Sequence, residues 1–328
     1  MLKFLEGFDS YGAVNFDSQY KWDNTNTVDL GSGRFTGFAA YLDTTILTKT
    51  IAATTGMTVG FAIILPENGG DFMSLLDDTS AVALDIGTRA TSSLLYITGT
   101  TTENSTKPIP RNEWVYLEIS VIDFSATASG NVTVRLNGEL ILSSTLGFTL
   151  TGSGTGGGVT LAGGGVNQIG YDDFYICDDV GPYNTTYIED GEVLSLFPNG
   201  PGDETDYSVF GAATNWEAVI EQPFDGDTSY VYSSNDGDQD LYTVANMSIG
   251  NTFVIPGIMV NMVARRDNVD PINVIGLIKS SGNVGTGSPI PLTSSYLNYQ
   301  QVFEREPVTN NPWTETLVNG LQIGSEVG

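Results

Sequence analysis

The chain has 328 residues, 40% of them hydrophobic, a length and composition that suit two domains with real cores. It carries 39 acidic against 12 basic residues, a formal charge of −27, and no histidine. The charge, with no Lys/Arg cluster, argues against nucleic acid and anionic membrane surfaces as partners. The missing histidine excludes Ser-His-Asp and Cys-His catalysis and every His-containing metal site.

The start, Met1-Leu2-Lys3-Phe4-Leu5-Glu6-Gly7, has no apolar run before Glu6 and Asp9 and does not read as a signal peptide. No apolar stretch approaches the ~20 residues of a membrane helix, so no membrane insertion is expected. Asn-X-Ser/Thr sequons stand at Asn104, Asn131, Asn184 and Asn246; without a secretory signal they read as chance products of Asn/Thr richness. Trp22 lies in a polar loop stretch, Tyr20-Lys21-Trp22-Asp23-Asn24, and is a candidate glycan platform.

Thr58 to Leu65 reads as a strand stopped by Pro66. Trp114 to Val121 reads as a strong strand, with Trp114 taken as core. Glu113 and Glu118 are five apart and so face opposite sides. Asn131 to Leu136 meets Asn137-Gly138, the favoured two-residue hairpin turn, before Glu139 to Leu142. Val132, Val134 and Leu136 then point inward, Thr133 and Arg135 outward. The Gly-rich stretch 151–165 lacks the helix and Lys of a phosphate loop and is expected to be a flexible loop. The acidic pairs Asp77-Asp78, Asp172-Asp173 and Asp178-Asp179 read as solvated turn residues. Asn167 to Ile176 reads as the last strand of the first domain, and Cys177, the one cysteine, is expected to be buried and inert. Glu189-Asp190-Gly191-Glu192 fits a linker turn.

The second domain opens near Glu192. Trp216, in Asn215-Trp216-Glu217, is the second candidate glycan platform. Asp236-Gly237-Asp238-Gln239-Asp240 has an Asp-x-Asp-x-Asp rhythm. Leu241 and Met247 stand where an EF-hand needs Gly and Glu, so only a looser Ca2+ site through Asp236, Asp238 and Asp240 stays open. No other cofactor is expected. The one helical candidate is Trp313 to Asn319, entered after Pro312 and stopped by Gly320. The fold class is therefore all-β: two tandem antiparallel β-sandwich (jelly-roll) domains over 1–185 and 186–328.

The first half resembles the concanavalin A-like (laminin-G-like) jelly roll. The residues that carry this are Glu6 to Tyr11, Gly33 to Phe38, Thr58 to Leu65, Trp114 to Val121, Val132 to Leu142 and Ile169 to Tyr175. The second half resembles a module of tailed-phage structural proteins through Val193 to Gly200, Pro223 to Val231, Asp238 to Tyr242 and Trp313 to Gly324. Together these imply a virion component made in the host cytoplasm and carried on the particle exterior, as capsid decoration or tail protein. The expected partners are other virion proteins, its own copies in a homo-oligomer such as a trimer, and a host-surface glycan. The alternatives are a lectin-like adhesin or tail fibre, and a glycan hydrolase. Hydrolases of this fold class need paired carboxylates about 5–9 Å apart, and no Glu-x-Asp-x-x-Glu strand occurs here. The chain is accordingly expected not to be an enzyme.

Overall fold

A computed structural model describes all residues except 13–15, 18–20, 25, 125–128, 166, 250–252 and 269. The chain is all-β, 52% strand and 4% helical. It divides into two compact units, Met1–Leu194 and Ser195–Gly328. The division falls after the expected 185/186 boundary because the segment just before it is tied to the first unit by side-chain contacts, described below.

The first unit is a sandwich of two antiparallel sheets. The larger has nine strands, with Glu139–Gly147, Ser129–Leu136, Trp114–Ile122, Met57–Ile64, Ile169–Asp178, Phe38–Leu42, Thr27–Ser32 and Phe16–Asp17 in spatial order. Leu2–Glu6 also pairs with Ile169–Asp178. The second sheet has six strands, in the order Thr102–Pro108, Leu94–Thr98, Val82–Thr88, Gly70–Asp77, Gly156–Ala162 and Ile46–Thr54. Alternation builds the core between them: Val115, Leu117, Ile119 and Val121 point inward and are buried, as are Val59, Phe61 and Ile63. Phe61 packs on Phe72 of the facing sheet, and the Tyr171 hydroxyl donates to the Phe72 carbonyl at 2.6 Å.

The hairpin is as expected. Asn137 and Gly138 both take positive φ, 47° and 80°, and Leu136 pairs with Glu139. Cys177 is buried. The Gly-rich stretch departs from expectation, since Gly156–Ala162 is an inner strand of the six-stranded sheet. A Cβ at Gly157 would lie 2.4 Å from the Asp77 carbonyl oxygen, and one at Gly158 2.4 Å from that of Lys49. The glycines serve close backbone approach here. Asp77 also departs from the solvated-turn reading. It is buried, and its carboxylate accepts from Thr79, Ala81 and Thr151, which holds its pKa well below the usual range.

The second unit is the smaller sandwich. Its main sheet runs Pro198–Thr205, Gln239–Val244, Gln322–Val327, Asn273–Ser280 and Asn283–Thr286, with Ile290–Pro291 added beside Asn273–Ser280. Val244 and Ile278 of that sheet pack with Val260 and Phe303 of the ribbon Ile258–Ala264/Leu297–Phe303. Trp313 completes this core, and its indole donates to the Phe303 carbonyl at 2.8 Å. The helix is shorter than expected, Glu315–Asn319, because Thr314 caps it by accepting from the Leu317 amide. A second ribbon pairs Ser208–Phe210 with Tyr230–Tyr232.

Candidate functional site: the outer face of the nine-stranded sheet

The strand Trp114–Ile122 has an outward phase as informative as its inward one. Trp114 pairs with Ile64, Tyr116 with Ala62, Glu118 with Gly60 and Ser120 with Thr58, so these four project away from the core. Gly60 also pairs with Tyr175, and Glu118 with Arg135. A row of polar and aromatic groups therefore crosses the outer face. Trp114 is half-buried on this face, contrary to its reading as core, because it stands in register with Tyr116 and Glu118 rather than with Val115.

At one end of the face the rings lie over glycine. A Cβ at Gly170 would meet both Tyr41 and Trp114, at 3.0 and 3.2 Å, and one at Gly31 would strike the Tyr41 ring at 2.5 Å. The two rings meet edge to face with centroids 6.5 Å apart, and both are half-buried. Their lower sides rest on the sheet; the remainder is open. Phe35 is 57% exposed, with the Arg34 guanidinium 4.6 Å from its ring centre.

The other part of the face is covered by the segment 183–194. The Tyr187 ring lies 3.9 Å from the Arg135 guanidinium, and its hydroxyl meets the Thr133 hydroxyl. The Ile188 amide donates to the Tyr175 hydroxyl at 3.1 Å, and the Glu189 amide to Glu118 at 2.8 Å. Arg34 Nη2 donates to Asp190 at 2.7 Å, while Nη1 pairs with its other oxygen, a bidentate clamp. The Val193 amide donates to Asp173 at 2.8 Å. Gly7 is required beneath this segment, since a Cβ there would sit 2.3 Å from the Val193 carbonyl oxygen. The 189–192 stretch is therefore a strap on the sheet and not a free linker turn.

Buried charge collects under the strap. Glu118 accepts from the Tyr175 hydroxyl at 2.6 Å, and its second oxygen has no hydrogen-bond partner among the described residues. The register of Ile169–Asp178 slips between Asp172 and Tyr175, and Asp173 takes a φ of 49°. Burial and the adjacent Asp173 charge push the Asp172 carboxyl up to about 8, against the pull of its bond from the Arg34 amide. Burial raises Asp173 to about 7, opposed by the Val193 amide and by Arg34 at 3.8 Å. Burial likewise raises the Tyr116 and Tyr175 phenols. The solvated-turn reading of Asp172-Asp173 is thus corrected: both are buried in a strand. Perturbed groups gathered on one face make that face a candidate functional site.

No protein-family model and no curated protein sequence matches the chain. Solved structures do. The alginate lyase Aly36B is 11% identical over 53% of this chain and 95% of its own, with a TM-score of 0.40. An endo-β-1,4-glucuronan lyase from the fungus Trichoderma reesei is 13% identical over 54% of this chain and 95% of its own, TM-score 0.39. The Caenorhabditis elegans galectin LEC-6 is 12% identical over 42% of this chain and 94% of its own, TM-score 0.31. At these identities the similarity is one of β-sandwich architecture. Two of the three are polysaccharide lyases, and this overturns the expectation that the chain is not an enzyme. That expectation rested on absent histidine and absent paired carboxylates. Both bear on His-dependent catalysis and on hydrolysis, whereas elimination with a Tyr or Lys base needs neither.

The residues singled out from the sequence lie elsewhere. Trp22 offers no face to a sugar: it is 2% exposed, stacked on Phe8 at 6.2 Å and edge-on to Phe4 at 5.3 Å. Its polar neighbours in sequence conceal this, because the partners that bury it come from other strands. Trp216 begins a short 3-10 turn, Trp216–Ala218, and is half-buried. Asp236, Asp238 and Asp240, which left a looser Ca2+ site open, are not gathered around one point. Asp236 is exposed, Asp238 accepts from Ser233 at 2.5 Å and Asn235 at 3.0 Å, and Asp240 is buried against Asn215 and Tyr242. Among the described residues no three of His, Cys, Asp and Glu gather to hold a metal ion. Tyr41 and Trp114 were the missed pair. The signal was available for Trp114, which sits in the polar phase of its strand.

Proposed function

We propose that this chain is a saccharide-binding protein carried on the exterior of a tailed-phage particle, and that the open end of the nine-stranded sheet is its binding surface. The observation that carries the binding part is the Tyr41–Trp114 pair, held over Gly31 and Gly170 with part of each ring open. Rigid aromatic platforms beside fixed polar groups suit the apolar faces of sugar rings. An excess of 39 acidic over 12 basic residues repels polyanions, so the favoured class is neutral glycans.

A glycan array probed with the full chain is expected to give signal on neutral glycans. Trp114→Ala should weaken that binding about tenfold, equivalent to ~1.4 kcal/mol. An unchanged array pattern for Trp114→Ala would remove this face from the account.

The particle location rests on the resemblance of the second half to tailed-phage modules, and its partners would be capsid or tail proteins and its own copies, in a closed oligomer such as a trimer. Mass spectrometry of purified particles should find the chain in stoichiometric amount, and particles lacking it would contradict the location without touching the saccharide reading.

A further inference from the structure

The second unit holds a hollow of about 260 Å³ that has no part in the sheet face described above. Its walls include Trp216, Tyr242, Asn215, Thr214, Thr205 and Leu241. With Pro201 and Ala213 beside Leu241, the mixture is one aromatic wall pair, three apolar contacts and three short polar side chains. The volume falls just below the ~300–1,000 Å³ of sites for drug-sized ligands, so it suits one small ring rather than a chain of them.

Behind the walls lies Asp240, fully buried. Asn215 Nδ2 and the Tyr242 hydroxyl each donate to its Oδ2 at 2.7 Å. Its Oδ1 has no hydrogen-bond partner among the described residues. The two residues that fix the other oxygen are themselves wall residues of the hollow. Asp240 thus fixes Asn215 and Tyr242 in the wall, beside the Trp216 indole that offers a ring face. Thr214 donates to Glu217 at 2.8 Å beside the hollow, a further negative group that disfavours an anion.

We infer that this hollow is a second ligand site that takes one neutral monosaccharide unit, its ring against Trp216 and its hydroxyls toward the polar wall of Asn215, Thr214 and Thr205. The inference stands independently of the sheet-face reading, since it uses a different unit and different residues. A free sugar and the end residue of a glycan share this chemistry.

The test is ligand-observed NMR titration of the full chain with glucose, galactose, mannose and N-acetylglucosamine, each as the free sugar and as its methyl glycosides. At least one neutral sugar should bind saturably, with a dissociation constant on the order of 1 mM. Trp216→Ala should weaken it at least tenfold, Thr214→Val on the wall should weaken it severalfold, and Trp114→Ala should leave it unchanged. A preference for a methyl glycoside assigns the site to chain ends; a preference for the free form assigns it to free sugar. Two results would overturn the inference: no saturable binding of any sugar in the panel, or binding that Trp216→Ala and Thr214→Val both leave intact. Loss of binding in Trp114→Ala alone would transfer the ligand to the sheet face and likewise overturn it.

Discussion

Trp22→Ala is expected to destabilise the first unit by about 3–5 kcal/mol, the range for deleting a large aromatic side chain from a packed core. The ring is 2% exposed and sits within contact distance of Phe4, Phe8 and Phe174, with the Trp22–Phe174 centroids 5.4 Å apart. Phe4 and Phe174 belong to the first and last strands of the unit, which pair through Glu6↔Phe174. The cavity would therefore open where the sandwich closes on itself. Urea unfolding followed by circular dichroism measures the loss, with the slope of the transition unchanged if only stability has moved. A cost under about 1 kcal/mol would mean that the ring faces solvent, as a sugar platform would, and would contradict the core assignment.

The second large effect is a dependence of stability on pH. In the folded chain Asp172 and Asp173 are raised to about 8 and about 7, mainly by burial. In the unfolded chain both fall to about 3.9. Between these values the folded state holds more protons than the unfolded one. Stability is therefore greatest at the acidic side of the window and falls as pH rises through about 4 to 8. Each unit of displacement corresponds to about 1.4 kcal/mol, and the adjacent carboxyls titrate as a pair, so a net loss on the order of a few kcal/mol is expected. Asp172→Asn should flatten the curve and raise the melting temperature at pH 8 relative to the parent chain. The variant keeps an acceptor for the Arg34 amide, which in the parent reaches Asp172 at 2.8 Å. Parallel melting curves for parent and variant between pH 5 and 8 would show that Asp172 is ionised throughout.

Features governed by neighbouring residues were legible in the sequence. The Asn137-Gly138 turn demands two positive-φ residues, and that demand is met where it is made. The period-2 pattern placed Val132 and Val134 in the core, where both are buried. The all-β architecture follows from many such local signals.

Features set by distant partners were not legible. The run Gly156-Gly157-Gly158 has the composition of a loop, yet becomes a strand because Gly70–Asp77 and Ile46–Thr54 flank it closely. Trp22 has polar neighbours in the chain and aromatic ones in space. The acidic stretch 189–192 looks like a solvated turn until Arg34 grips Asp190 and Asp173 takes the Val193 amide. Of the Tyr41–Trp114 face, one half of the signal was readable. Trp114 shares its phase with Tyr116 and Glu118, but Tyr41 reaches it only because Gly170 brings their strands into line.

Saccharide binding at the open end of the nine-stranded sheet is tested most directly by a crystal structure of the full chain with a neutral oligosaccharide that scores on the array. The expected result is a sugar ring lying against Tyr41 and Trp114. A saccharide bound elsewhere on the first unit, with the Tyr41–Trp114 end empty, would contradict it.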